Sequence, residues 1–173
     1  MPRMSILNGE EKFDFDSVPL FTSTERKRFF STPPRVEKLM ASLRTPTNKM
    51  WFLLMLGYFK ASSRFYRNQF NEADVQYVAR KLGYSRGIID EEPLDESTYR
   101  RNRKIILDYL GWHPFNDQFK SKMLERIQPM VRSQSRLKMM LARSIDFLVE
   151  NKVEVPTLRT LDNAILRSTK LHK

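Results

Sequence analysis

The stretch MWFLLMLGYF, residues 50–59, is the longest nearly apolar run in the chain. Apolar side chains cover its whole circumference rather than one stripe, which is typical of a helix that other helices surround. A membrane-spanning helix needs roughly 20 apolar residues, so we interpret this shorter run as a buried central helix. Because proline is tolerated near a helix start, Pro46 marks the beginning of this helix, and Thr47 or Asn48 is the expected N-cap.

Amphipathic patterns predict further helices on both sides of the central one. Residues 72–82 have helical apolar spacing behind a capping Asn71, and Gly83 occupies the left-handed position that ends many helices. Apolar stripes of the same period, one of them containing Pro129 as an expected kink or end, predict more helices. These are expected over residues 105–110, 115–131, 137–149 and 158–171, with shorter helices at 10–15, 23–30 and 35–43.

The chain shows no series of strands with hairpin turns, so we predict an all-α, multi-helix bundle. Of the formal net charge of +11, residues 97–173 carry +9, residues 1–50 carry +3 and residues 51–96 carry −1. The acidic stretch DEEPLDE at residues 90–96 is typical of a solvated linker, and a carboxylate metal site is the alternative interpretation. We therefore predict two packed helical subdomains, 1–90 and 97–173, joined by an acidic linker at 91–96.

Composition excludes several classes of protein. The absence of cysteine excludes a disulfide scaffold and a thiolate site, and two distant histidines exclude a histidine-rich zinc centre. The sequence shows no glycine-rich phosphate loop and no serine–histidine–aspartate set. We accordingly expect a chain that is not an enzyme and has no catalytic residue, metal or cofactor. A targeting segment is also lacking, so we expect a cytoplasmic protein with no membrane partner. A pI near 10.0 instead favours an anionic polymer as the partner.

The densest basic cluster is YRRNRK, residues 99–104, at the start of a predicted helix. Its cations cannot all pair within the helix, because the nearest acids lie upstream in the acidic stretch. The planar guanidinium group of arginine and the compact ammonium group of lysine both bind phosphate. The alternative is a solvated helix face with i,i+4 pairs such as Lys104 with Asp108.

A second basic set flanks the central helix. The residues before it are Arg44, Thr45, Thr47, Asn48 and Lys49, and those after it are Lys60, Arg64 and Arg67. Cations mixed with hydroxyl and amide donors near a helix N-terminus suit phosphate contacts. Simple capping with solvated cations is an equally good interpretation. A third set at 132–170 is interpreted in part as solubilising surface.

The stretch VARKLGYS, residues 78–85, has the pattern of a helix-turn-helix turn, with alanine four residues before glycine. The helix that would enter the groove, residues 86–90, is short and runs into Glu91 and Glu92, which repel phosphates. The unit is therefore either a structural turn or a set of backbone contacts from Arg80, Lys81 and Arg86.

Several short motifs follow one another along the chain: MPR and SIL at residues 1–7, NK before FLLMLGYF at 48–59, YVARKLG at 77–83, TYRRNR at 98–103, GWHPF at 111–115 and VEVP at 153–156. Their order resembles the N-terminal region of Tn-three (class II) family transposases, over nearly the whole chain. His113 stands where that family usually has arginine, and Trp51 and the Ser62-Ser63 pair are further departures.

The resemblance implies a DNA-binding module that recognises the terminal inverted repeats of a mobile element. In that family a separate ribonuclease-H-like domain with an acidic triad and a divalent metal carries out transposition, so this chain is expected to be a non-catalytic fragment or a truncated product. The implied partners are double-stranded DNA, the rest of the transposase and, in the full-length protein, a second copy, in a bacterial, nucleoid-associated setting. The predicted DNA contacts are Arg44, Asn48, Lys49, Lys60, Arg64, Arg80, Lys81, Arg100, Arg101, Arg103 and Lys104.

Two other functions remain open from the sequence. One is a protein–protein assembly or regulatory module of a transposase with no direct base readout. The other is an RNA-binding or regulatory protein. Steep salt dependence of duplex binding is the property that separates a DNA-binding module from an assembly module.

Overall fold

The computed structural model describes residues 5–67 and 70–170, and the prediction of an all-α, multi-helix protein is confirmed for this part of the chain. Residues 1–3 of the first motif and the predicted last helical position, residue 171, lie outside the described residues. The helices are α1 Gly9–Asp16, α2 Ser23–Phe29, α3 Pro34–Ala41, α4 Pro46–Ser62, α5 Glu72–Leu82, α6 Glu96–Leu110, α7 Asp117–Arg132, α8 Leu137–Glu150 and α9 Leu158–Lys170, with a 3-10 helix at Arg86–Asp90 between α5 and α6.

The chain divides into two compact units with bounds that differ from the predicted subdomains. One unit, Val18–Leu110, contains α2 to α6, and the other combines residues 5–17 with residues 111–170 and contains α1 and α7 to α9. α6 belongs to the first unit because it packs on α4, and α1 belongs to the second because it packs on α9. The acidic stretch at 90–96 therefore connects two elements of the same unit.

The central helix is α4, as predicted. Every residue from Phe52 to Phe59 is buried, because α2, α5, α6 and the 3-10 helix all pack against α4. The predicted N-cap is wrong: the cap is Thr45, whose hydroxyl accepts a hydrogen bond from the Asn48 backbone N–H at 3.1 Å. Pro46 occupies the first helical position, so the capping residue has to precede it. Within the described residues, no helix is long and apolar enough to cross a membrane.

A buried polar network ties α2, α4 and α5 together. Asp74 is fully buried, and one of its carboxylate oxygens accepts from Arg26 Nε at 2.7 Å. The other oxygen accepts from the Tyr58 hydroxyl, which itself accepts from the Asn71 backbone N–H at 3.2 Å. Burial, together with the neighbouring Asp74, raises the pKa of Tyr58 well above its usual range, so the hydroxyl stays protonated as the donor.

In the second unit α7, α8 and α9 pack on one another around an apolar core. Pro129 lies inside α7, and the helix continues to Arg132 before it ends. An isolated bridge joins the chain before α7 to the chain before α9: the His113 N–H donates to the Lys152 carbonyl at 2.7 Å, and the Glu154 N–H donates to the His113 carbonyl at 3.0 Å.

Asp162 of α9 is a buried acid that holds the start of the chain. One carboxylate oxygen accepts from the Ser5 hydroxyl at 3.3 Å and from the Ile6 backbone N–H at 3.5 Å. The other oxygen has no hydrogen-bond partner within the part of the chain that the structure describes. Burial raises the pKa of this carboxyl above 3.8, against the lowering effect of the two hydrogen bonds. The folded state therefore binds more protons than the unfolded chain just above pH 3.8, and the free energy of unfolding falls as pH rises through that window.

We expect Asp162→Asn to remove this pH dependence, because the amide keeps an acceptor for Ser5 and Ile6 and does not ionise. Relative to the wild type, the variant should gain stability as the pH rises from acid to neutral. Urea unfolding monitored by circular dichroism, at acid pH and at neutral pH, measures the free energy of unfolding of both proteins. A variant whose relative stability falls as pH rises would contradict it.

Candidate nucleic-acid interface

A cleft of about 240 Å³ lies where the start of α4 faces the first turns of α6, within the unit Val18–Leu110. The chain before and at the start of α4 contributes Arg44, Thr45 and Asn48. Helix α6 lines the opposite side of the cleft, and Glu92 and Pro93 also line it. The remaining lining residues are Ser42, Leu43, Trp51, Thr98, Arg101 and Ile105.

The start of α6 is fixed by its own capping interaction. The Asp95 carboxylate accepts from the Thr98 backbone N–H at 2.7 Å, and this bond, with Arg101 nearby, lowers the pKa of Asp95. Thr98, Arg101 and Ile105 follow at helical spacing, so they share one face of α6 and line the cleft together.

An amide pair connects the two helices beneath the cleft. Asn102 of α6 is fully buried, and its Nδ2 donates to Asn48 Oδ1 at 2.8 Å. Asn48 is half-buried and lines the cleft, so its side chain lies between the core and the surface.

The charge of the cleft favours anions. Arg44 and Arg101 are exposed cations in its wall, and Glu92 is the acid among its lining residues. The Glu92 carbonyl accepts from Trp51 Nε1 at 3.1 Å, which holds the acidic stretch against α4. The first turn of α4 adds the partial positive charge of a helix N-terminus.

The other cations of residues 99–104 are distributed around α6. Arg100 is 75 % exposed and donates to Glu96 at 3.1 Å, and Glu96 also pairs with Arg67. Exposed pairs of this kind contribute little to stability, so Arg100 remains able to exchange its partner for a phosphate. Lys104 is exposed, whereas Arg103 is half-buried at the margin of the packed face.

The second basic set is split between the two ends of α4. Asn48 and the half-buried Lys49 lie at its start. Lys60 lies 12 positions after Asn48, which is about 18 Å along a helix. Burial lowers the pKa of Lys60, and nearby Arg28 lowers it further. The Arg64 guanidinium lies over the Tyr66 ring at 4.9 Å from its centroid. The structure therefore does not bring Lys60 and Arg64 to the cleft.

The turn after α5 forms as the pattern indicates, with Gly83 at a φ of 79°. It leads into a five-residue 3-10 helix rather than an α-helix that would enter a groove. Arg86 donates to Glu72 at 2.6 and 2.8 Å and to Asp90 at 2.7 Å, so two carboxylates neutralise it. Arg80 and Lys81 are exposed at the end of α5, outside the cleft lining.

Sequence reasoning missed Asn102 and the lining position Thr98, and it noted Trp51 only as a departure from the family that the sequence resembles. Asn102 lies four residues before buried Ile106, so the apolar stripe of α6 already carried the signal that this amide faces inward. The described residues, including 90–96, contain no group of three or more acidic or histidine side chains placed to hold a metal ion.

The comparisons with known proteins add a family. A family model described as "Domain of unknown function (DUF4158)" matches residues 6–167, which is most of the chain. No curated protein matches the chain.

Proposed function

The chain belongs to the DUF4158 family, and we propose that it is a duplex-DNA-binding module in which the cleft between α4 and α6 contacts the nucleic acid. One observation carries this proposal: Arg44 and Arg101, which are far apart in the sequence, come together with Asn48 in one cleft. Because a fold alone does not establish a function, the proposal rests on the site.

The chemistry of the cleft suits a phosphate backbone and an adjacent base edge. Arg44, Arg101 and the exposed cations Arg100 and Lys104 supply affinity by displacing counterions. The half-buried amide of Asn48 is held in place and supplies a directional contact.

The resemblance to Tn-three family transposases suggests which DNA the module binds and in which process. We propose that the module docks the terminal inverted repeats of a mobile element and positions them for a catalytic domain elsewhere in the transposase. The proposed partners are therefore transposon-end DNA and the rest of the transposase, and the chain itself is proposed to be non-catalytic.

The double variant Arg44→Ala with Arg101→Ala tests this site. Each lost phosphate contact reduces the slope of log affinity against log salt by about 1, so we expect the slope to flatten by about 2 and the affinity to fall. Fluorescence anisotropy of a labelled short duplex, titrated at several salt concentrations, measures both quantities.

The matched control is Arg132→Ala with Arg143→Ala, which removes the same charge from exposed positions of the other unit. We expect this control to keep the wild-type slope. Equal flattening in both double variants would show that overall charge, and not the cleft, binds the duplex.

An assembly module is the second candidate function, and exposed apolar side chains in the second unit favour it. Phe13 of α1 is 71 % exposed and Met139 of α8 is 56 % exposed. The Lys138–Glu11 ion pair at 2.8 Å places α8 beside α1, and exposed apolar side chains that form one patch are typical of protein interfaces. An assembly module lacks steep salt dependence of duplex binding, so the same titration distinguishes the two candidates.

A further inference from the structure

Asn102 is a polar residue where packing alone favours an apolar one. It lies fully buried between α6 and α4, with its Nδ2 also 3.8 Å from the Met55 sulfur. Its Oδ1 is buried and has no hydrogen-bond partner among residues 5–67 and 70–170. A buried acceptor without a partner is costly, and a leucine-sized apolar side chain would avoid that cost. The contact that distinguishes asparagine from leucine here is the hydrogen bond to Asn48.

That hydrogen bond fixes which end of the Asn48 amide faces the cleft. Oδ1 accepts from Asn102 at 2.8 Å and is therefore turned toward the core. Asn102 engages Oδ1, so Nδ2 is the atom of the cleft-lining Asn48 amide that remains for a ligand. Asn48 thus offers the cleft hydrogen-bond donors.

The neighbouring charged groups of the cleft wall are also donors. Arg44 and Arg101 carry guanidinium groups, which donate and do not accept. In the major groove guanine presents two acceptors, N7 and O6, whereas adenine presents one acceptor and one donor. An asparagine free to use both amide atoms would pair with adenine, but the engaged Oδ1 of Asn48 disfavours that pairing.

We propose that Asn102 is a positioning residue that orients Asn48 as a donor, so that the cleft selects guanine over adenine in duplex DNA. This inference rests on the proposed function and names the base that the same site reads. Asn102 itself does not touch the DNA, and its effect passes through the Asn48 amide.

The test compares the full chain with Asn102→Leu on two labelled duplexes that differ by exchange of their G·C pairs for A·T pairs. For the wild type we expect tighter binding of the guanine duplex, by about fivefold or more. Asn102→Leu should lower this ratio, because Asn48 is no longer held as a donor while Arg44 and Arg101 remain in the cleft. The salt slope should stay at the wild-type value, and the melting temperature should not fall. Asn163→Leu, at an exposed position in the other unit, should leave the ratio unchanged.

Asn48→Ala is the second variant. Asn48 is only half-buried, so its substitution should leave the core folded. It should lower the guanine preference to the same extent as Asn102→Leu. A wild type without guanine preference, or an Asn102→Leu variant with the full wild-type ratio, overturns the inference. Salt-dependent duplex binding in that case leaves the proposed function standing. Absence of salt-dependent duplex binding by the wild type overturns the proposed function itself, and the inference with it.

Discussion

Asp74→Ala should lower the free energy of unfolding by about 3–5 kcal/mol, the cost typical of removing one partner of a buried ion pair. The carboxylate is fully buried and receives hydrogen bonds from Arg26 and from the Tyr58 hydroxyl. Its removal leaves a largely buried guanidinium without its acid and a buried hydroxyl without its acceptor. It also removes the polar link between α2, α4 and α5.

Urea unfolding monitored by circular dichroism measures the loss. The matched control is Asp146→Ala on an exposed position of α8, which should change stability by no more than about 0.5 kcal/mol. A loss below about 1 kcal/mol for Asp74→Ala would mean that the network is not a determinant of the fold.

Gly57→Ala should destabilise the chain by about 1–3 kcal/mol or more, because it overpacks a filled core. A Cβ at this position of α4 would lie 2.3 Å from a ring carbon of Phe30 and 3.1 Å from the Phe29 carbonyl oxygen. Phe30 is fully buried, and its ring packs edge-to-face on Tyr58, so it has little room to move. The missing side chain is what lets the end of α2 approach α4.

Gly9→Ala is the control for this substitution, since an added Cβ there meets no atom within 4 Å. Both variants gain the same methyl group in a helix. A thermal melt in which the two variants differ by less than the experimental error would contradict the proposed close approach of α2 and α4.

The fold was predictable where its cause is local. The run that is apolar on all sides predicts α4, and the apolar stripe that ends at Gly83 predicts α5. Both patterns repeat within a few residues, so they can be recognised in the sequence. The N-cap of α4 was placed wrongly because Thr45, Thr47 and Asn48 are all good capping residues. The position of Pro46 at the first helical residue decides between them.

Long-range packing is what the sequence did not reveal. The pairing of Asn48 with Asn102 spans 54 positions, and that of Arg26 with Asp74 spans 48. No local pattern encodes either contact. For the same reason the sequence did not predict that α1 packs on α9. This contact places α1 in the second unit.

The candidate site was predictable in its residue types and not in its grouping. Arg44, Asn48 and Arg101 were among the predicted contacts, and the structure brings them to one cleft. Lys60 and Arg64 lie at the other end of α4, and Arg86 is bound by two carboxylates. The sequence shows which residues are cationic, but only the packing of the helices shows which of them line the same cleft.

Salt-dependent duplex binding by the unmodified chain is the most direct test of the account. Affinity for a short labelled duplex should fall at least about tenfold between low and near-physiological salt, with log affinity linear in log salt. Affinity that does not change with salt, or no binding to duplex at low salt, would contradict the central claim that the cleft between α4 and α6 holds DNA.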